Sequence, residues 1–160
     1  MTKKLKLNPS VSYVLGLCSY NKGQAIGIVT KSNEVLARFV KTSIDEFEIE
    51  PNKILVEEDE GETRAYFYNS KLKKHFQNAL DRREKIFQYK NNYSANYFAG
   101  IFDMIGGRDA KGLFFRNIEE RDGQLLEMLG FHTTKRGSKT YVMNENTFYS
   151  FIKEFTIKSF

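Results

Sequence analysis

Residues 94–105 carry the clearest helical pattern of the chain, because their apolar side chains recur every three or four positions. The stripe that they form consists of Phe98, Ile101, Phe102 and Ile105. Ser94 is placed to cap the start of this helix, since a hydroxyl there accepts an otherwise unpaired backbone N–H. Gly106 and Gly107 follow, and they supply the left-handed or extended backbone that ends the helix.

A similar apolar helix is predicted over residues 10–20, and its glycines match those of the helix just described. Gly16 corresponds to Gly100 and Gly23 to Gly107, and each pair is 84 residues apart (100 − 16 = 107 − 23 = 84). A small residue at the centre leaves one side of each helix thin, so that another helix can come close. We therefore expect the two helices to pack against each other across a pseudo-two-fold axis.

The order of predicted elements occurs twice along the chain, which makes it an internal repeat. After its apolar helix, the first half is expected to form a strand at 24–30, a helix at 34–46, a hairpin of strands at 53–57 and 63–68, and a basic helix at 71–89 capped by Ser70. The second half is expected to form a strand at 112–116, a helix at 118–129, a hairpin of strands at 131–135 and 139–144, and a helix at 145–156.

Each half thus reads α-β-α-β-β-α, which predicts an α+β fold of two pseudo-symmetric halves in one chain. We place the halves at residues 1–91 and 92–160, because Asn91 and Asn92 interrupt the helical pattern. Together the halves are expected to form one compact domain, a pseudo-dimer.

Composition agrees with a globular protein that has a real core, since 41% of the 160 residues are hydrophobic and 14% are aromatic. The sequence has no apolar run of membrane-spanning length, and no apolar core follows the basic residues 1–6. The single cysteine, Cys18, excludes an internal disulfide framework and is expected to be buried. We therefore expect a soluble intracellular, cytoplasmic protein.

The segment 98–106, which reads FAGIFDMIG, resembles the LAGLIDADG motif of homing endonucleases and their maturase relatives. The resemblance covers nearly all of the chain. It implies paired central motif helices between two αβ halves, a saddle-shaped antiparallel sheet over DNA, and a metal-binding carboxylate at the eighth motif position. One difference concerns the strands after each motif, since 24–30 and 112–116 are expected to be single strands and the saddle correspondingly narrow.

The eighth motif positions are Asn21 and Ile105, and neither residue is an acid. Phosphodiester hydrolysis of this kind needs a metal ion, and magnesium is held chiefly by carboxylates. We therefore expect no catalytic activity, no bound metal and no cofactor, with Mg²⁺ required only if displaced acids replace the lost ones. The fallback acids are Asp103, interpreted as a helix-end or interfacial carboxylate, and Asp109, which could swing toward the centre.

Charge favours nucleic acid as the partner of the second half, with DNA expected before RNA. The net charge is +5, and the basic candidates for phosphate or base contacts are Arg108, Lys111, Arg116, His132, Lys135, Arg136 and Lys139. Replacing Lys135 and Arg136 together is predicted to weaken binding and to flatten its salt dependence. The basic tail at residues 1–8 is either a solvated terminus or a phosphate-contacting arm.

The first half argues against nucleic acid, because its hairpin tip is acidic. The tip contains Glu57, Glu58, Asp59, Glu60 and Glu62, which would repel phosphates and could meet a basic or protein partner. Three functions therefore stay open: a catalytically silent LAGLIDADG-like nucleic-acid-binding protein, an active metal-dependent DNA endonuclease with displaced acids, and a protein-interaction module that keeps only the scaffold.

Overall fold

The computed structural model describes residues 5–21 and 23–160 of the chain. The first half consists of α1 (Pro9–Cys18), β1 (Ile26–Thr30), α2 (Asn33–Asp45), a 3₁₀ turn (Pro51–Lys53), β2 (Leu55–Asp59), β3 (Glu62–Phe67), α3 (Ser70–Asp81) and α4 (Arg83–Ile86). The second half consists of α5 (Asn92–Ile105), β4 (Gly106–Asp109), β5 (Gly112–Arg116), α6 (Glu120–Met128), β6 (Thr133–Arg136), β7 (Lys139–Val142) and α7 (Glu145–Ile152). This order confirms the predicted α+β fold.

Helices α1 and α5 pack directly against each other at their central glycines. A Cβ atom on Gly16 would lie 2.2 Å from the carbonyl oxygen of Tyr97, and one on Gly100 would lie 2.2 Å from that of Tyr13. Tyr13 and Tyr97 are also 84 residues apart, so the two close contacts are equivalent (97 − 13 = 84). The predicted pairing of the central helices is confirmed, with a glycine from each half at the crossing.

The strands form two antiparallel sheets, one in each half. The first sheet has the strand order β1-β3-β2, and the second has the order β4-β5-β7-β6. The prediction of a single strand at 112–116 is wrong, because β4 pairs with β5 in a hairpin. Gly106 leaves α5 with an extended backbone (φ −92°, ψ 162°), so that the chain passes from the helix straight into β4.

Two predicted helix boundaries also need correction. Asn69, and not Ser70, caps α3, since its side chain accepts the Leu72 N–H at 3.0 Å. Asn91 caps α5, and Ser94 lies three residues further on, where it accepts the Asn91 N–H at 3.1 Å and completes a capping box. The predicted basic helix at 71–89 is interrupted at Arg82, which leaves helical backbone geometry between α3 and α4.

Residues 1–4 of the predicted basic tail and Lys22 lie outside the described residues. Leu5 and Leu7 of the same tail pack against the core, so this part of it is not loosely solvated. Cys18 is buried as predicted, and burial raises the pKa of its thiol to about 12. None of the helices within the described residues is long and apolar enough to cross a membrane.

One hydrophobic core extends across both halves and contains side chains from α1, α2, α5, α6 and α7. Asp122 of α6 lies within it without solvent exposure. Its carboxylate accepts hydrogen bonds from Tyr20 (2.6 Å) and Tyr97 (2.7 Å) and lies 3.0 Å from the Arg83 guanidinium. Tyr20 and Arg83 come from the first half, so this buried network joins the two halves.

Candidate nucleic-acid interface

The second sheet has one side against the core and one side that faces away from it. Leu113 and Phe115 of β5 point into the core, so Phe114 and Arg116, which alternate with them, lie on the other side. We call this side the second open face. The register places on it Gly107, Asp109, Phe114, Arg116, Thr134, Arg136, Lys139 and Tyr141.

Three cations form a row across the second open face. Arg116 of β5 stands opposite Lys139 of β7, and Lys139 stands opposite Arg136 of β6. Directly opposed side chains in antiparallel strands have Cβ atoms about 5 Å apart, and like charges at that spacing destabilise the sheet. The repulsion within the row therefore lowers the stability of the free protein, and a bound polyanion would relieve that repulsion.

Phe114 and Asp109 hold two of these cations in place. The Lys139 ammonium lies 4.4 Å from the centre of the Phe114 ring, and the Arg116 guanidinium lies 5.6 Å from it. The ammonium also lies 2.9 Å from the Asp109 carboxylate. Arg136 is exposed, lies near the Tyr141 hydroxyl and makes no hydrogen bond or ion pair among the described residues, so its guanidinium is available to a ligand.

The structure brings together only part of the seven predicted contact residues. Arg108 lies at the edge on the helix side of the sheet, 3.7 Å from Glu145. Lys135 is opposite the buried Thr140 and therefore also belongs to the helix side. Lys111 lies in the turn between β4 and β5, and His132 lies just before β6 with its Nδ1 2.9 Å from Glu127.

The first sheet presents the opposite charge on its corresponding side, which we call the first open face. Its members are Gly27, Val29, Leu55, Glu57, Asp59, Glu62, Arg64 and Tyr66, because Ile26, Ile28, Ala65 and Phe67 point into the core. One cation and three carboxylates give this face a charge of 1 − 3 = −2. The second open face, with three cations and Asp109, has 3 − 1 = +2.

The ends of the two central helices do not fit a magnesium ion. The Asn21 amide donates to the Gly27 carbonyl at 2.8 Å, which leaves one neutral oxygen, and Ile105 is apolar and packs against the core. A depression of about 480 Å³ beside Ile105 is lined by Tyr20, Met104, Ile105, Gly106, Phe114, Arg116 and Asn117. None of these lining residues carries a carboxylate, and the Arg116 guanidinium would repel a cation.

Asp103, the first fallback acid, is engaged on the side of α5 that faces α1 and the residues after α7. It is buried and accepts hydrogen bonds from the Tyr13 and Thr156 hydroxyls and from the Ile157 N–H at 3.1 Å. Burial raises its pKa, while these hydrogen bonds act in the opposite direction. The Lys158 ammonium nearby donates to the Phe102 carbonyl at 3.0 Å and to the Gly106 carbonyl, which caps the end of α5.

Asp109, the second fallback acid, is fixed at the far end of the β4–β5 hairpin. It accepts hydrogen bonds from the Tyr141 hydroxyl at 2.6 Å, from Lys139 and from the Lys111 N–H at 2.9 Å. These donors hold its pKa well below the usual range. Asp109 follows the end of α5 by four residues of extended chain, about 13 Å, so it does not reach toward Ile105. Among the described residues no group of three or more His, Cys, Asp or Glu could hold a metal ion.

Solved structures of a homing endonuclease, I-DmoI, superpose on nearly the whole chain. Its complex with DNA and Mn matches with a TM-score of 0.70 at 19% sequence identity, covering 91% of this chain and 97% of that one. A variant in complex with its target DNA in the presence of Mg matches with a TM-score of 0.71 at 18% identity, covering 91% and 96%. This chain has the homing-endonuclease fold of I-DmoI.

Mesophilic variants of I-DmoI match equally well, with a TM-score of 0.69, 18% identity, and coverage of 91% of this chain and 96% of theirs. No protein-family model matches the chain, and no curated protein matches it in sequence. At such low identity the likeness shows the fold. The I-DmoI fold bears out the architecture that the LAGLIDADG resemblance implied.

The division of the basic residues between the two sides of the sheet was not predicted. Strand alternation in β5, β6 and β7 carries this information, since Arg116 is two residues from Phe114 and Arg136 is one residue from Lys135. Lys158 as the cap of α5 and Arg83 as the partner of Asp122 were not predicted either. No local pattern signals either contact, because each joins elements that are distant in sequence.

Proposed function

We propose that this chain binds nucleic acid, and DNA in preference to RNA, without cleaving it. The observation that carries the proposal is the row of Arg116, Lys139 and Arg136 across an open sheet face. The proposal is supported by the fold, because several I-DmoI structures that share it are complexes with DNA. The two halves, residues 1–91 and 92–160, serve in this proposal as one unit.

The preference for DNA follows from groove dimensions. The major groove of B-DNA, about 12 Å wide, admits β-strands whose side chains reach base edges and phosphates. The major groove of A-form RNA is deep and narrow, and side chains on a sheet do not enter it. A four-stranded face with a central row of cations therefore suits duplex DNA.

The absence of cleavage follows from the chemistry at the ends of α1 and α5. Metal-dependent hydrolysis requires ligands that hold the ion and a group that accepts the proton of the attacking water. Asn21 and Ile105 supply neither, and Asp103 and Asp109 are engaged in hydrogen bonds elsewhere. The alternative of an active endonuclease keeps the fold in its favour, but it would need carboxylates that the ends of α1 and α5 do not supply.

The test is binding to duplex DNA and to structured RNA at two salt concentrations, with Mg²⁺ present and strand breaks monitored in the same samples. We expect binding that weakens steeply with salt, tighter binding to DNA, and intact strands. Strand breaks would contradict the proposal. Binding that is absent for both nucleic acids would favour a protein-interaction module, with the acidic hairpin at Glu57–Glu62 as the site for a basic partner.

A matched pair of variants on β6 sharpens this test. Arg136→Ala removes an unpaired cation from the second open face, and Lys135→Ala removes its neighbour from the opposite side of the same strand. We expect Arg136→Ala to weaken binding about tenfold and to reduce the salt slope by about 1, as the loss of one phosphate or base contact does. Lys135→Ala should change the affinity less than about twofold, since the Lys135 side chain points away from the bound DNA. Equal effects of the two substitutions would remove the open face from the proposal.

A further inference from the structure

We infer that only the second sheet contacts the nucleic acid. In a bound duplex, the base pairs beside the second sheet are then covered by protein, and those beside the first sheet stay free. This inference rests on the proposed function and adds the extent and the asymmetry of the contact. Its basis is the opposite charge of the two open faces, +2 for the second and −2 for the first, within one chain whose halves share most of their order of elements.

The only cation of the first open face is already engaged by its own sheet. Arg64 of β3 stands directly opposite Glu57 of β2, and its guanidinium lies 4.2 Å from the centre of the Tyr66 ring. The Tyr66 hydroxyl in turn donates to Glu57 at 2.6 Å. Arg64 thus has a carboxylate neighbour where Arg136 has none, and binding a phosphate would bring that phosphate against Glu57.

The tip of the first sheet adds two carboxylates that face each other. Asp59 of β2 is opposite Glu62 of β3, and both lie on the first open face. The two acids occupy the place that a phosphate backbone would approach if this sheet lay along the duplex, and their charges oppose that approach at short range. The first open face therefore repels the same polyanion that the second open face attracts.

The width of the second sheet sets the expected length of contact. Its four strands have three spacings of about 4.8 Å, which gives a face about 14 Å wide. This width corresponds to about four base pairs of B-DNA at 3.4 Å per pair. The three strands of the first sheet would add two spacings, about 10 Å, so contact by both sheets would span about 24 Å or more, at least about seven base pairs.

The experiment uses the full chain and mixed-sequence DNA duplexes of graded length, about 6 to 24 base pairs, with fluorescence anisotropy as the readout. We expect the affinity per binding site to be level already at about 6 base pairs, and the salt slope to correspond to about three released counterions, one for each cation of the row. Arg136→Ala should weaken binding about tenfold, and Arg64→Ala less than twofold. Circular dichroism of each variant verifies that it is folded.

The outcomes separate this inference from the proposed function. Affinity that still rises beyond about 8 base pairs, together with equal losses in Arg64→Ala and Arg136→Ala, would show that both sheets bind and would overturn the inference alone. Binding that neither substitution weakens would place the contact on another surface and would also overturn it. No affinity for any duplex would overturn the proposed function and, with it, the inference.

Discussion

Gly16 and Gly100 are the residues on which the packing of the two halves depends most directly. Their hydrogen atoms occupy the place where a methyl group would overlap a backbone carbonyl of the opposite helix at 2.2 Å. Neither helix can move away without opening the core that both share. The contact is backbone against backbone, so no change of side-chain rotamer can relieve an added methyl group.

We predict that Gly16→Ala lowers the free energy of unfolding by about 2 kcal/mol or more, because overpacking at a rigid contact forces backbone shifts. Chemical denaturation measures the change. The matched control is Gly123→Ala on α6, where an added Cβ meets no atom within 4 Å. That substitution should leave the stability unchanged or raise it by up to about 1 kcal/mol, since alanine is the better helix former. Similar losses in both variants would mean that the crossing of α1 and α5 is not the cause.

The sequence predicted the positions of some of these residues and not of others. The equivalence of Gly16 and Gly100 was visible in their spacing, and the structure confirms it. The positions of Arg108 and Lys135 on the helix side were not anticipated, because basic residues were grouped by proximity in sequence and strand alternation was left out. The network around Asp122 could not be predicted, since its partners come from three other segments of the chain.

Among the elements, β4 is the one that the sequence did not reveal. Its four residues begin with two glycines, which local rules assign to the end of a helix. Pairing with β5 makes them a strand, and a Cβ on Gly107 would lie 2.8 Å from the Phe114 ring of that partner. Tertiary pairing thus overrides local preference here, whereas β5, α2 and the two longer hairpins follow from their own patterns.

Helices α4 and α6, which belong to different halves, are joined by an ion pair that can be tested by pH. Arg121 donates two hydrogen bonds of 2.7 Å to the Glu84 carboxylate, and these lower the pKa of Glu84 to about 2. A carboxyl group whose pKa is lower in the folded state stabilises the fold above its unfolded pKa, about 4.3, and loses that contribution as the pH falls.

We predict that the free energy of unfolding of the wild-type protein decreases between about pH 4.5 and pH 2 more steeply than that of Glu84→Gln. Denaturant titrations at several pH values measure the difference. Glu120→Gln, which removes a carboxylate from the exposed side of α6, is the charge-matched control and should follow the wild type. A Glu84→Gln curve parallel to the wild-type curve would contradict the ion pair.

At the scale of the whole molecule, the two halves share their interior and differ in their outer charge. The core passes through α1 and α5 without interruption, and the Asp122 network adds polar contacts between the halves. The open faces carry opposite charges over similar scaffolds. This contrast could be predicted from the charges of the two hairpins alone. The row of cations and the opposed pairs within each sheet depend on the strand register, which the sequence does not give.

Because the core is shared, we predict that the halves unfold together in one transition. Far-ultraviolet circular dichroism and the near-ultraviolet signal of the tyrosines should give the same midpoint. Asp122→Ala should shift both midpoints together and cost about 3–5 kcal/mol, since it leaves the buried Arg83 without one of its carboxylate partners. Glu120→Ala, on the exposed side of the same helix, should cost less than about 0.5 kcal/mol. Two separate transitions would mean that each half is a domain of its own.

The crossing of α1 and α5 also has a consequence for synthesis on the ribosome. The glycines that meet there are separated by 84 residues, so α1 leaves the ribosome long before its partner exists. At about 5–20 residues per second, translation of the intervening segment takes roughly 4–17 s. During this time the face of α1 that packs on α5 is uncovered in the nascent chain, and a molecular chaperone has time to bind it before α5 arrives.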